Sequence, residues 1–302
     1  MDRERSFELS ARIGRLISER PPVIGYTAEE ARRAVAAAPP EEIAQMRRAG
    51  LPVDDPVLFF VMEKLLAQTG VAREADDDYL LALFRRARRL DADAFAADGY
   101  LSHVRFLPGA DGPFELTYST YERGEILSYD MPDLRAPVIV PALGFFERAV
   151  RFPTLCEGGV PWISVCPSEI NSMKDDIDAA HGRVLVLGLG LGYYAYQVAE
   201  KPEVSEVTVV ELRPEVIGLY QSRLRPHFCH AEKIRVVCAD ALAYLAGVEN
   251  GRFDVCFADI WKGAVDGAPL YRAIKAHEAR LYATEFRYWI GGQIEAYLSG
   301  GL

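Results

Sequence analysis

The sequence predicts an α/β protein, with a doubly wound parallel sheet in its C-terminal part and a helical and β-hairpin region before it. Three observations carry this. Four short apolar runs, "RVLVL", "VSEVTVVEL", "KIRVVCADA" and "FDVCFADIW", recur from Arg183 to Trp261 and alternate with helix-like segments, the grammar of βαβ units with helices on both faces of the sheet. The first run opens into "GLGLG", a glycine-rich strand-to-helix turn, and the other three each end in a carboxylate. Ligands of such sheets bind outside the carboxyl ends of the strands. The polar residues that bear chemistry gather at that edge of a Rossmann-like sheet.

The remaining elements follow in chain order, and the chain divides into residues 1–100, 101–166 and 167–302. In the first region "TAEEARRAVAAAPP" carries Thr27 and Glu30 at capping-box spacing and stops at Pro39 and Pro40, so it reads as a helix. "DPVLFFVMEKLLAQTG" has Asp55 as N-cap, Pro56 at the first helical position and Gly70 past the end. The basic stretch "FRRARRL" follows Asp76–Asp78, and a helix that begins acidic and ends basic complements its own dipole. From about Ser102 polar and aromatic or β-branched residues alternate around "PGADG", "ERG" and "EGG", which predicts hairpins. The third region opens with the helix "PSEINSMKDDIDAAHG", where Ile170, Met173, Ile177 and Ala180 share a stripe.

Composition bounds the function. The 302 residues are 50% hydrophobic and 26% charged, with a net charge of −10. A nucleic-acid surface normally needs basic residues to neutralise phosphates, so this balance argues against that partner. No apolar stretch approaches the roughly 20 residues that cross a bilayer, and "MDRERSFELSARIGRL" does not read as a signal peptide. The five cysteines, without CxxC spacing, fit reduced thiols in the cytoplasm. "RPHFCH" offers His227, Cys229 and His230, and one short cluster without a distant partner predicts no metal site.

Gly188, Gly190 and Gly192 let the backbone turn sharply off the strand and pass close to a ligand. Counted from Gly188, the third glycine of a dinucleotide fingerprint would fall on Tyr193, so a GxGxG reading fits better. Glu211, at the end of the second strand, is suited to accept hydrogen bonds from both ribose hydroxyls of an adenosine. Asp240, followed by Ala241, is placed to accept from an adenine amino group or to cap the helix "ALAYLAG". Asp259 ends the fourth strand beside the loop.

The stretch "VLVLGLGLGYY…VTVVEL…IRVVCADA…FDVCFADIW" resembles the class I S-adenosylmethionine-dependent methyltransferases, and within them the spermidine-synthase-like branch. The match runs from Arg183 to Trp261, about a quarter of the chain. The resemblance implies that Gly188, Gly190 and Gly192 pass under the methionine part of S-adenosyl-L-methionine, that Glu211 binds its ribose and Asp240 its adenine, and that Asp259 faces the reacting centre as the catalytic residue. Tyr193 or Tyr194 would lie along the cofactor. Two departures stand out: Val186 holds a position that is acidic in many methyltransferases, and "DIWKG" replaces the aspartate-rich "DSSDP"-type segment of the aminopropyltransferases.

Only 43 residues follow Asp259, and "APLYRAIKAHEARLYATEFRYWIGGQIEAYL" reads as mostly helical, with Tyr271, Ile274, Leu281 and Ile294 on its buried face. The sheet is therefore expected to stop after its fourth strand. Residues before Arg183 must then close the substrate pocket, with Trp162, Glu169 and Asn171 foremost, and Trp261 beside Asp259. An incomplete sheet edge also needs a cover, which a second copy of the chain would supply. The expected function is methyl transfer to a small molecule or protein side chain. The alternatives are aminopropyl transfer from the decarboxylated cofactor and a non-catalytic module that binds the cofactor or a dinucleotide.

Overall fold

The computed structural model describes residues 2–300. In chain order its elements are helices α1 (Arg3–Glu19), α2 (Ala28–Ala36), α3 (Pro40–Ala49), α4 (Pro56–Thr69) and α5 (Asp77–Arg86), strand β1 (Arg88–Leu90), helices α6 (Ala92–Ala96) and α7 (Gly99–His103), and strands β2 (Gly109–Asp111), β3 (Phe114–Tyr121), β4 (Leu127–Asp130), β5 (Ala142–Phe146), β6 (Val150–Glu157) and β7 (Val160–Ser164). There follow α8 (Pro167–Ala179), β8 (Gly182–Leu187), α9 (Tyr193–Ala199), β9 (Val204–Glu211), α10 (Pro214–Leu219), β10 (Ile234–Cys238), α11 (Ala241–Ala246), β11 (Val255–Ala258), α12 (Ala264–Lys275), β12 (Glu285–Tyr288) and α13 (Gly291–Leu298). Among the described residues, no helix is long and apolar enough to cross a membrane.

Contacts divide the chain into two compact units that do not follow the linear division at residues 100 and 166. One comprises the residues up to Phe95 with Thr120–Arg151, and the other Ala96–Ser119 with the residues from Phe152 onward. The cause is strand pairing. In the first unit β5 lies between β1 and β4, and helices α1, α2, α4 and α5 supply Leu9, Ile13, Ala31, Val61, Leu65 and Leu83 to one core with Phe145 of β5. The predicted caps are present: Thr27 and Glu30 close the capping box of α2, and Asp55 accepts from the backbone N–H of Leu58.

The second unit holds the parallel sheet, in the order β10-β9-β8-β11-β12. Every neighbouring pair is parallel. From β8 the chain steps outward to β9 and β10 and then crosses to β11 and β12. Right-handed crossovers therefore set α9 and α10 on one face and α11 to α13 on the other, with α9 against β9 and α12 against α11 and α13. This is the Rossmann-like doubly wound fold. Val184, Val186, Val207, Val209, Val255 and Phe257 are fully buried, as strands covered on both faces require.

The expectation that the sheet stops after its fourth strand is corrected: β12 is a fifth. It pairs only with β11, from Val255–Glu285 to Ala258–Tyr288. Its four residues lie in an Ala-, Arg- and Tyr-rich stretch that suits helices as well, and a short edge strand has no buried partner on its outer side to impose an apolar alternation. The flanks are helical, and Tyr271, Ile274, Leu281 and Ile294 are all buried.

The same unit contains strands in the order β2-β3-β6-β7. The antiparallel pair of β6 and β7 turns at Gly158 and Gly159, both at positive φ, as "EGG" predicts. "ERG" does not join a hairpin, because β3 and β4 lie in different sheets.

Candidate active site

The site forms where the strand order reverses, between β8 and β11. The glycine loop leaves β8 with Gly188 at φ +99°, Gly190 at +51° and Gly192 at +72°. A Cβ on Gly188 would stand 2.1 Å from the backbone oxygen of Asp259, so the two strand ends meet only because this position is glycine. A Cβ on Gly192 would press on the Phe228 ring at 3.1 Å.

Glu211 is buried, and both its oxygens are engaged. Oε2 accepts from the N–H of Leu189 at 3.0 Å and Oε1 from that of Arg213 at 2.8 Å. One carboxylate thus fixes the glycine loop to the end of β9. Asp240 is exposed and caps α11, accepting from the N–H of Ala243 at 2.9 Å, while Ala241 behind it is buried.

A cavity of about 50 Å³ lies on the loop, lined by Gly188 and Gly190, by Asp259 and Phe257 from β11 and its end, by Glu169 and Met173 from α8, by Tyr193 and by Ile163. Among the described residues neither Glu169 nor Asp259 has an ion-pair partner. Burial pushes the Glu169 carboxyl up to about 7. Burial, and then the nearby Glu169, hold the Asp259 carboxyl well above the usual carboxylate range. Two carboxyls facing one apolar space share this property because ionising either is costly there. A cationic amine would relieve both.

Tyr193 also borders the cavity, but its hydroxyl is held by Asp98 at 3.1 Å and its ring lies edge-on to Tyr100 at 5.5 Å. Tyr194 turns to the sheet, stacked on Phe257 with ring centroids 3.9 Å apart. Tyr100 donates to the carbonyl of Leu191 at 2.7 Å. Aromatic packing therefore supports the loop from behind.

No known family model matches the chain, and no curated protein does. Among solved structures it is similar to a spermidine synthase in complex with the transition state analogue AdoDATO, at 17% identity over 46% of this chain and 52% of that one, with a TM-score of 0.32. It is also similar to the spermidine synthase of Thermotoga maritima, at 18% over 41% and 48% with a TM-score of 0.30. A probable spermidine synthase from Corynebacterium glutamicum gives 19% over 43% and 52%, with a TM-score of 0.34. The chain spans about half the length of these structures. Likeness of this size assigns no residue a role.

The substrate-pocket candidates separate. Glu169 lines the cavity, whereas Trp162, Asn171 and Trp261 do not. Trp162 packs on Phe114 at 5.4 Å, under the ammonium of Lys262 at 5.8 Å. Its neighbour Ile163 faces the loop instead; Trp162 is the extra residue of a bulge, where the pairing of β7 with β6 shifts from Leu155–Ile163 to Cys156–Pro161. Asn171 is an exposed residue of α8, two positions beyond Glu169 and so off its face, while Met173 at i+4 shares that face. Trp261 is buried, donating Nε1–H to the carbonyl of Trp289 at 3.2 Å. As site residues Ile163, Met173, Asp98 and Tyr100 escaped sequence reading, although the helix stripe included Met173; its i, i+4 spacing from Glu169 was the signal that could have placed it.

The donor set fits an adenosyl sulfonium ligand: a buried carboxylate at the end of β9, a glycine loop at the switch point and a capping aspartate at the next strand end. The space over Gly190 is the exception. A ligand-sized pocket spans roughly 300–1,000 Å³, and the cavity is far smaller because the Ile163 side chain stands over Gly190.

Proposed function

We propose that this protein is an adenosyl-sulfonium-dependent transferase, with S-adenosyl-L-methionine as donor and an amine of a small molecule or protein side chain as methyl acceptor. The observation that supports this best is the convergence of the glycine loop with the unpaired carboxyls of Glu169 and Asp259 around one cavity at the switch point. The bound sulfonium would supply an electrophilic carbon for in-line displacement. Glu211 and the glycine loop would hold the donor in register, and Val186, Leu189, Leu191 and Phe257 would keep water from the reacting atoms. Asp259 would take the proton that the acceptor nitrogen loses, its raised proton affinity suiting it to that task. Glu169 would favour positive charge on the acceptor side.

Aminopropyl transfer from the decarboxylated donor is the second reading, and one observation favours it. The cavity lining contains two carboxyls, Glu169 and Asp259, and no lysine, arginine or histidine, so the α-carboxylate of the full donor would find no cationic side chain there.

Calorimetric titration with S-adenosylmethionine, its decarboxylated form, S-adenosylhomocysteine and NAD tests both. At 100 times its dissociation constant a ligand adds about 2.7 kcal/mol of stability, visible as a thermal shift. Binding of the carboxylate-bearing donor with label transfer to an amine supports methyl transfer. Preference for the decarboxylated form selects the second reading. Binding with no transfer to any amine pool makes the unit a non-catalytic ligand module, and binding of NAD alone overturns the donor assignment.

A further inference from the structure

Ile163 stands where the glycine loop would otherwise be open. A Cβ built on Gly190 would lie 3.0 Å from its Cδ1 and 3.5 Å from its Cγ2, so the apolar side chain rests directly on the loop. Ile163 belongs to β7, the outer strand of its sheet, which pairs with β6 alone. The hairpin tip projects into solvent: nothing lies within 4 Å of a Cβ on Gly158 or Gly159, and Val160 is 66% exposed.

The base of that tip is tied to residues just beyond two strands of the parallel sheet. The Glu157 carboxylate lies 4.0 Å from the guanidinium of Arg213, just past β9, and 3.8 Å from the ammonium of Lys262, just past β11. The same two cations cover the rings of Phe114 and Trp162. These are exposed, screened pairs, each individually weak. They hold the hairpin without committing it.

We propose that Ile163 is a steric gate that sets which ligands the glycine loop admits: a ligand with a chain running over Gly190 binds only when Ile163 leaves it, and the Glu157 pairs with Arg213 and Lys262 hold the gate shut. This rests on the adenosyl reading of the loop. A nucleoside without that chain binds without displacing Ile163. The gate thus taxes long ligands selectively, because affinity is lowered by the fraction of molecules that are closed.

Calorimetry on the full chain tests it, with S-adenosylhomocysteine as the chain-bearing probe and adenosine as the short one. Ile163→Ala is expected to tighten S-adenosylhomocysteine about tenfold and to leave adenosine unchanged. Glu157→Gln leaves the core intact, so it serves even where Ile163→Ala folds poorly. It is expected to act in the same direction about twofold, and added salt should strengthen binding of the long ligand to the native chain but not to this variant. If the native chain binds S-adenosylhomocysteine and neither variant nor salt tightens it, Ile163 is a fixed wall and the gate is overturned while the adenosyl reading stands. If folded native chain and variants alike bind neither probe, the adenosyl reading fails and the gate falls with it.

Discussion

The carboxylate of Glu211 accepts the backbone N–H of Leu189 at 3.0 Å, so the residue suited to a ribose also shapes the loop beneath the ligand. Alanine here would leave the buried N–H of Leu189 without a partner, at about 1–3 kcal/mol, and would release the more exposed N–H of Arg213 to solvent. Loss of binding in Glu211→Ala would therefore not separate the two roles. Glu211→Gln keeps an acceptor oxygen and is expected to lose only about 1 kcal/mol of stability in urea unfolding. If the carboxylate also binds ribose, S-adenosylhomocysteine affinity should fall at least about tenfold in this variant, since hydrogen bonds to a charged group contribute about 1.5–3 kcal/mol. Native affinity in a folded Glu211→Gln protein would reduce Glu211 to a loop support.

The three glycines of the loop are unequal. At Gly188 a methyl group would enter the Asp259 backbone oxygen, 2.1 Å away, on a residue at φ +99°, so the strand ends must separate. At Gly190, at φ +51°, it would meet only the flexible end of Ile163. Gly188→Ala is expected to cost more than about 3 kcal/mol and Gly190→Ala about 1 kcal/mol. Equal losses in chemical denaturation would contradict this ordering.

Glu169 makes stability depend on pH. Its carboxyl is pushed from 4.5 up to about 7 in the folded protein, so the folded state holds its proton more tightly than the unfolded chain. The stabilisation is fully present below pH 4.5 and is lost as the pH rises through 7. Glu169→Gln, which imitates the protonated group, should match the native chain near pH 4 and exceed it by about 3 kcal/mol at pH 8. A constant difference across that range would show that Glu169 is solvated. Binding of a cationic amine should strengthen over the same interval, as the carboxylate becomes available.

The strands were legible where burial on both faces leaves continuous apolar runs, as in Val184–Leu187 and Val207–Val210. Glu211, Asp259 and the glycines were legible because each ends such a run. β12 was hidden, since Glu285–Tyr288 is short, sits at an edge and is read equally well as helix. The cavity wall was only partly visible. Trp162 drew attention by size, yet it sits in a bulge of β7, packed on Phe114, and Ile163 is the residue that reaches the loop. The pairing of Glu169 with Asp259 depends on how α8 lies over the ends of β8 and β11, a relationship about 90 residues apart in the chain that no local pattern encodes.

Trp261 shows the same limit from the other side. Beside Asp259 in sequence it suggests a wall for the substrate, but its ring points into the packing of α12. A Cβ on Gly267 would lie 2.7 Å from its Cγ, and Nε1 donates to the carbonyl of Trp289, which follows β12. It therefore joins the loop after β11 to the fifth strand and the next helix. Trp261→Phe removes the hydrogen bond and part of the ring, and Trp261→Ala removes nearly all the contact, for an expected loss of about 3–5 kcal/mol in the alanine variant. Neither change touches the cavity lining, so the affinity for S-adenosylhomocysteine in the folded fraction should stay within about twofold of native, less than the ~1.4 kcal/mol that a tenfold change requires. Measured by calorimetry on Trp261→Phe below its unfolding midpoint, a tenfold loss of affinity with native stability would return Trp261 to the pocket; the opposite pattern fixes it as the brace that holds Asp259 at the end of β11.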